Sequence, residues 1–293
     1  MQAFVERDLR FEAQTRPGPA RVGEPARHRG EAALGSVLDR QAGAHHLEQR
    51  GREIAQAGLD AYHRSVTNDA RHFELLHELA QHYWRQQLGR SIVARNLALF
   101  RDLVGPDLHI QNRPYLRAVR PGMPRDAAPL HRDTYYGASP FEVSIVVPFT
   151  TMDESAALRV VSGSHLQPDA AYPFTQHTSE DVTLGSPKHR LGYPYAPRLL
   201  DPAVDRRAVP VPLEVGEVAI FGLSLVHGGG VNDGSRTRFS TDIRIVNSHA
   251  PVAFSRGVDP EYFVPLCAST ISRSARIHLD ANRSSGTGDP EPG

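Results

Sequence analysis

Cysteine is nearly absent from this 293-residue chain: Cys267 stands alone. A single thiol cannot build an internal disulfide framework or a cysteine-based zinc cluster, and it suits a reducing compartment. Charge of one sign is not in excess either, since Lys+Arg and Asp+Glu number 33 each. Without a basic surplus to neutralise phosphates, nucleic acid is not expected as a partner. Long apolar runs are missing too. In the opening stretch MQAFVERDLRFEAQ charges interrupt the apolar residues, so neither a signal peptide nor a membrane span is drawn there. The expectation is a cytoplasmic protein, monomer or homodimer, that acts on a small molecule.

Histidine is plentiful, at fifteen, and only spacing can single some out. The first 50 residues are rich in Arg, Gly, Ala, Glu and Pro and are expected to be irregular or partly disordered. A single domain is expected over 51–278, with a flexible tail over 279–293. From about 70 to 104, apolar residues recur every three to four positions (Phe73, Leu76, Leu79, Tyr83, Trp84, then Ile92, Leu97, Phe100), which predicts two amphipathic helices. Beyond Gly105 and Pro106 the chain turns to short apolar or alternating runs: 115–120, 141–149, 157–162, 209–213, 217–226 and 238–247. Such runs, without alternating helices, predict a mostly β fold, an antiparallel jelly roll flanked by N-terminal helices. The stretch 166–208, with His177, His189, Tyr193 and Tyr195, has the length of a functional loop.

Within PLHRDTYYG (129–137), His131 and Asp133 stand two positions apart. On an extended segment both side chains project from one face and can converge on an ion. A third ligand is expected from His227, which ends the apolar run 217–226 and precedes three glycines. Two imidazoles and one carboxylate suit a non-haem Fe(II) oxygenase, while a zinc hydrolase can use the same donors. A solvated histidine next to a turn-forming aspartate is the reading of the triplet by itself.

Arg238 follows His227 by eleven positions (238 − 227), inside SRTRFSTDIRIV. On a strand, Arg238, Ser240, Asp242 and Arg244 share one face, and Phe239, Thr241, Ile243 and Ile245 the other. Arg238 offers a fork for a carboxylate and Ser240 a hydroxyl for the same oxygens; Arg236 is the fallback.

The order HxD, LRVVSGSH (158–165) and PLEVGEVAIFGLSLVHGGGVNDGSRTRFSTDIR (212–244) resembles the phytanoyl-CoA-dioxygenase-like branch of the Fe(II)/2-oxoglutarate oxygenases, over roughly 105–250. The resemblance implies a double-stranded β-helix core, Fe(II) held by His131, Asp133 and His227, and 2-oxoglutarate anchored by Arg238 and Ser240, with O2 as co-reactant. Gln111 is expected as a second cosubstrate contact. Because halogenating members replace the acid, Asp133 implies hydroxylation or another two-electron oxidation, such as ring closure or desaturation, over halogenation. Tyr135, Arg117, Asp242 and Arg244 are the expected substrate-facing residues, an internal ion pair of Asp242 with an arginine being the alternative. The HRDTYYG segment resembles oxygenases of bacterial sugar and aminoglycoside pathways, so a polar substrate is expected. A zinc hydrolase and a non-catalytic jelly-roll binding module remain the competing readings.

Overall fold

The computed structural model describes residues 58–175, 197–252 and 261–285. The irregular segment expected at 1–50, and His177, His189, Tyr193 and Tyr195, lie outside the described residues.

Helices come first: α1 (Tyr62–Ser65), α2 (Asp69–Arg85), α3 (Leu88–Arg95) and α4 (Leu97–Val104). The Asn68 side chain caps α2 by accepting from the Arg71 amide at 3.2 Å, satisfying a donor that the first helical turn leaves unpaired. The buried face of α2 carries His72, Leu75, Leu79 and Tyr83, one residue per turn. Leu75 and Leu79 join Leu116, Ala118 and Phe239 in one apolar cluster, which seats the helix on the sheet.

Among the described residues, six strands form the larger antiparallel sheet: β1 (Leu108–Gln111), β2 (Tyr115–Val119), β3 (Val143–Pro148), β6 (Ala219–Gly222), β8 (Arg238–Asn247) and β9 (Phe263–Cys267). β8 lies at its centre, with β3 on one side and β1 and β2 on the other. Its alternation is the one read from sequence. Ile243 and Ile245 join Val93, Phe100, Ile110 and Ile145 in the cluster beneath the helices, so truncating Ile243 to Ala costs roughly 2–5 kcal/mol. The opposite face carries Arg238, Ser240, Asp242 and Arg244 to an internal cavity.

β4 (Leu158–Val160), β5 (Val209–Val211) and β7 (His227–Gly229) form a second antiparallel sheet in the order β5-β4-β7. Val160, Leu158 and Val211 pack against Val146, Ala219 and Phe221 of the larger sheet, so the two sheets face each other, as a jelly-roll-like core requires.

Several expectations change. The run 217–226 is not one strand, because β6 ends at Gly222 and a turn intervenes before β7 begins at His227. Strands β1, β7 and β9 are too short or too weakly alternating to stand out in sequence. A final helix, α5 (Thr270–Ser285), crosses both the domain end expected at 278 and the start of the expected tail. Among the described residues no helix is long and apolar enough to cross a membrane.

Candidate metal centre

His131 and His227 face each other across a backbone bridge. Each amide donates to the other's carbonyl, at 2.8 and 2.9 Å, so the segment holding His131 continues the smaller sheet beyond β7. This bridge brings the two imidazole centroids to 4.6 Å. In each ring Nδ1 lies against a carbonyl oxygen, that of Pro129 at 2.7 Å and that of Leu225 at 2.9 Å. A carbonyl can only accept, so Nδ1 carries the proton and Nε2 keeps a lone pair for a ligand-binding role.

Asp133 reaches the same point by a different route from the one expected. It opens a 3-10 turn (Asp133–Tyr136) instead of continuing a strand, and its amide donates to the Leu223 carbonyl at 3.1 Å. Its carboxylate lies 3.5 Å from the His131 Nε2 and 3.7 Å from the His227 Nε2. One donor atom from each of His131, Asp133 and His227 falls within 4.8 Å of the others, and all three residues are buried. Burial works against the Asp133 charge, but the Arg244 guanidinium holds its pKa well below the usual carboxylate range. Burial and the neighbouring His131 push His227 down to about 4, so it is neutral near pH 7. A carboxylate and two imidazoles that each present an Nε2 lone pair form a donor set suited to a divalent ion.

The same turn redirects two tyrosines. Tyr135, expected on the cavity face, stacks on Phe174 with centroids 3.6 Å apart and donates its hydroxyl to the Tyr172 carbonyl at 2.8 Å. It lies outside the cavity lining, because a 3-10 turn breaks the period-two alternation. Tyr136 instead meets the His131 ring edge-on at 5.7 Å. Arg132, between the two candidate ligands, is buried and fastens the segment to Asp169 and to the carbonyls of Ser164 and Gln167. Ser164, from the SGSH element, accepts from the Val226 amide at 2.8 Å, next to His227.

The cavity at this point encloses about 510 Å³ of non-atom space, open solvent at its mouth included. Besides the three donors it is lined by Arg117, Arg238, Ser240, Asp242 and Arg244. Arg238 spends one N–H on the Ala156 carbonyl at 2.9 Å, while its buried Nε and the buried Ser240 Oγ have no hydrogen-bond partner among the described residues. Burial lowers the Arg238 pKa to about 10. The carboxylate acting on it, Asp242, is taken by Arg117 in an ion pair, the alternative weighed for that residue. A buried guanidinium beside a buried hydroxyl is a fitting receptor for a carboxylate. Arg236, the fallback, is exposed and pairs with Asp153 at 3.0 Å.

Gln111 does not join this group. Its amide donates to the Arg113 carbonyl at 3.1 Å and accepts from the Arg244 amide at 3.3 Å, bridging the break between β1 and β2. It lines a second, smaller cavity with Tyr83 and Trp84. Arg244, expected to face substrate, lines the cavity and pairs with Asp133 at 2.9 Å. Nothing local in the sequence announces either contact, since both depend on how strands pair.

The sequence over residues 28–240 matches the phytanoyl-CoA dioxygenase family. The chain belongs to this family. It is therefore a 2-oxoglutarate-dependent non-haem iron oxygenase, using Fe(II), 2-oxoglutarate and O2. No curated protein matches it by sequence. Among solved structures it is similar to the nickel complex of the non-haem monooxygenase ThoJ, at 17% identity over 94% of this chain and 95% of that one, with a TM-score of 0.45. It is also similar to the carbocyclase SnoK from nogalamycin biosynthesis, at 19% identity over 60% and 64%, TM-score 0.39. A third is EvdO2 from Micromonospora carbonacea var. aurantiaca complexed with 2-oxoglutarate, at 19% over 55% and 62%, TM-score 0.39. Superpositions at these scores are partial, and the family match is what identifies the chain.

Proposed function

We propose that this phytanoyl-CoA dioxygenase family member oxidises a C–H bond of a small polar metabolite, such as a sugar or aminoglycoside, by hydroxylation or oxidative ring closure. His131, Asp133 and His227 would hold the iron, and Arg238 with Ser240 would hold the far carboxylate of 2-oxoglutarate. One observation carries this reading: Arg238 Nε and Ser240 Oγ, without a hydrogen-bond partner among the described residues, line the same cavity as the three-donor cluster. A hydrolase has no need for a buried anion receptor beside its metal.

When bound, iron and 2-oxoglutarate supply the oxidising power, consuming O2 and releasing succinate and carbon dioxide. The protein's part is placement. The Pro129 and Leu225 carbonyls fix the tautomer of the two imidazoles, so both Nε2 atoms aim at one point. Asp133 would supply the third ligand, which favours oxygenation over halide transfer. Arg238 and Ser240 would orient the cosubstrate from one end, and Phe221, Met152 and Leu158 keep the cavity wall apolar and exclude water. The Arg117–Asp242 pair is partly exposed, at 17% for each side chain, and offers charged hydrogen-bonding groups to a hydroxyl- or amine-bearing substrate. The single cysteine suits action in a reducing compartment such as the cytoplasm.

Anaerobic addition of Fe(II) and 2-oxoglutarate tests the site. A weak visible charge-transfer band is expected in the wild type and not in His131→Ala, whereas zinc binding without any such band would favour a hydrolase. Succinate formation with saccharide, amino-acid and acyl-thioester panels tests the substrate class, and stimulation by acyl thioesters alone would end the polar-metabolite reading.

A further inference from the structure

Arg244 is built into the candidate centre from several sides. One terminal nitrogen lies 2.9 Å from Oδ2 of Asp133. The other donates to the Tyr262 hydroxyl at 2.8 Å. The guanidinium carbon stands 5.4 Å from the Tyr115 ring centroid. Tyr262 is held in turn by its own carbonyl, which accepts from the Asn112 amide at 2.8 Å where β9 joins β1. An arginine packed this way does not turn away when Asp133 gains a second partner.

The fixed charges make this arrangement consequential. Among the described residues lining the cavity, the guanidinium groups of Arg117, Arg238 and Arg244 face the carboxylates of Asp133 and Asp242. Arg117 is matched by Asp242, and Arg238 faces the place suited to a carboxylate of the cosubstrate. Arg244 therefore neutralises Asp133 before any metal arrives, and a divalent ion on Asp133 must share that carboxylate with a second cation. Like charges repel strongly where solvent is excluded, so Arg244 opposes the metal and attracts a dianion.

We propose that Arg244 is a charge-balancing residue of the metal centre, which weakens binding of the metal alone and strengthens binding of the dianionic cosubstrate to the metal-loaded protein. This rests on the oxygenase reading above. It gives Arg244 effects of opposite sign on two ligands, whereas a purely structural role would move both affinities the same way.

The test is calorimetric titration of the full chain with Co(II), then of the Co(II)-loaded protein with 2-oxoglutarate, in wild type, Arg244→Gln and Arg244→Lys. Arg244→Gln should bind Co(II) about tenfold more tightly and 2-oxoglutarate about tenfold more weakly, because one positive charge has left the site. Arg244→Lys, which keeps the charge, should stay within about threefold of wild type for both ligands. Loss of affinity for both ligands in folded Arg244→Gln, or no change in either, overturns the proposal. Should that variant not fold, Arg244→Met, which removes the charge while keeping side-chain length, carries the same test: Co(II) binding should tighten and 2-oxoglutarate binding weaken, and a same-sign or absent change overturns the proposal. A wild type that binds neither Co(II) nor 2-oxoglutarate instead overturns the oxygenase site on which the proposal rests.

Discussion

A Cβ placed on Gly228 would stand 2.6 Å from the Pro129 carbonyl oxygen. No side chain fits there, because that close approach is what lets the 128–131 segment pair with β7 and bring His131 to His227. Gly228→Ala should therefore separate the two imidazoles and weaken metal binding at least about tenfold, on the scale of losing a group that orients a ligand. Titration with Co(II) checks this, and an unchanged affinity would mean that the segment shifts without disturbing its histidine.

Arg238 is held in a cavity at a cost to the fold, since a buried cation without a carboxylate partner is poorly solvated. Arg238→Met should raise the unfolding free energy of the ligand-free protein by about 1–4 kcal/mol. The same change should abolish measurable 2-oxoglutarate binding. Ser240→Ala should weaken that binding several-fold, with little effect on stability. Urea unfolding paired with ligand titration separates the two effects; a destabilised Arg238→Met would contradict the receptor role.

The Arg117–Asp242 pair links β2 to β8 at the cavity. Removing Asp242 alone leaves the Arg117 guanidinium without its carboxylate, so Asp242→Leu should destabilise the protein by about 2 kcal/mol or more. The double change with Arg117→Leu should recover most of that loss. Succinate formation then tests a substrate role: if the folded double variant keeps substrate-stimulated turnover, the pair is only an internal tie.

His72 gives the fold an acid-sensitive point outside the cavity. Its ring lies between the Tyr62 hydroxyl, 3.0 Å from Nδ1, and Asp126, 3.7 Å from Nε2. Burial, only partly offset by Asp126, lowers its pKa from 6.5 to about 4. Between these values the unfolded chain binds a proton that the folded chain does not. His72 is thus neutral to stability above about pH 6.5 and costs increasingly as pH falls towards about 4, amounting to about 2 kcal/mol at pH 5. Urea unfolding at pH 7 and pH 5 should show a shallower loss in His72→Gln than in wild type. An equal loss in both would place the acid sensitivity elsewhere.

The period-two face of β8 was legible because alternation is a local property: Phe239, Ile243 and Ile245 had to bury together, which sent Arg238 and Ser240 to the other side. His227 was legible from its place after an apolar run, although that run proved to be a strand and a turn. The turn at Asp133 was not. It depends on the Leu223 carbonyl, 90 positions away (223 − 133), and without that acceptor HRDTY reads equally well as extended chain. Tyr135 was misplaced for the same reason, and Gln111 because the break between β1 and β2 calls for a side chain to satisfy backbone groups.

By itself the amino-acid order determined which donor types are present, how they are spaced, and which face of the longest strand is polar. Those follow from backbone geometry repeating every two residues. Only the folded chain decided the partners: Arg244 for Asp133, Arg117 for Asp242, and Arg238 left with a buried N–H aimed at a cavity. Charge pairing across strands is set by register and by side-chain reach between segments distant in sequence, and the electrostatics of this centre arise from those pairings.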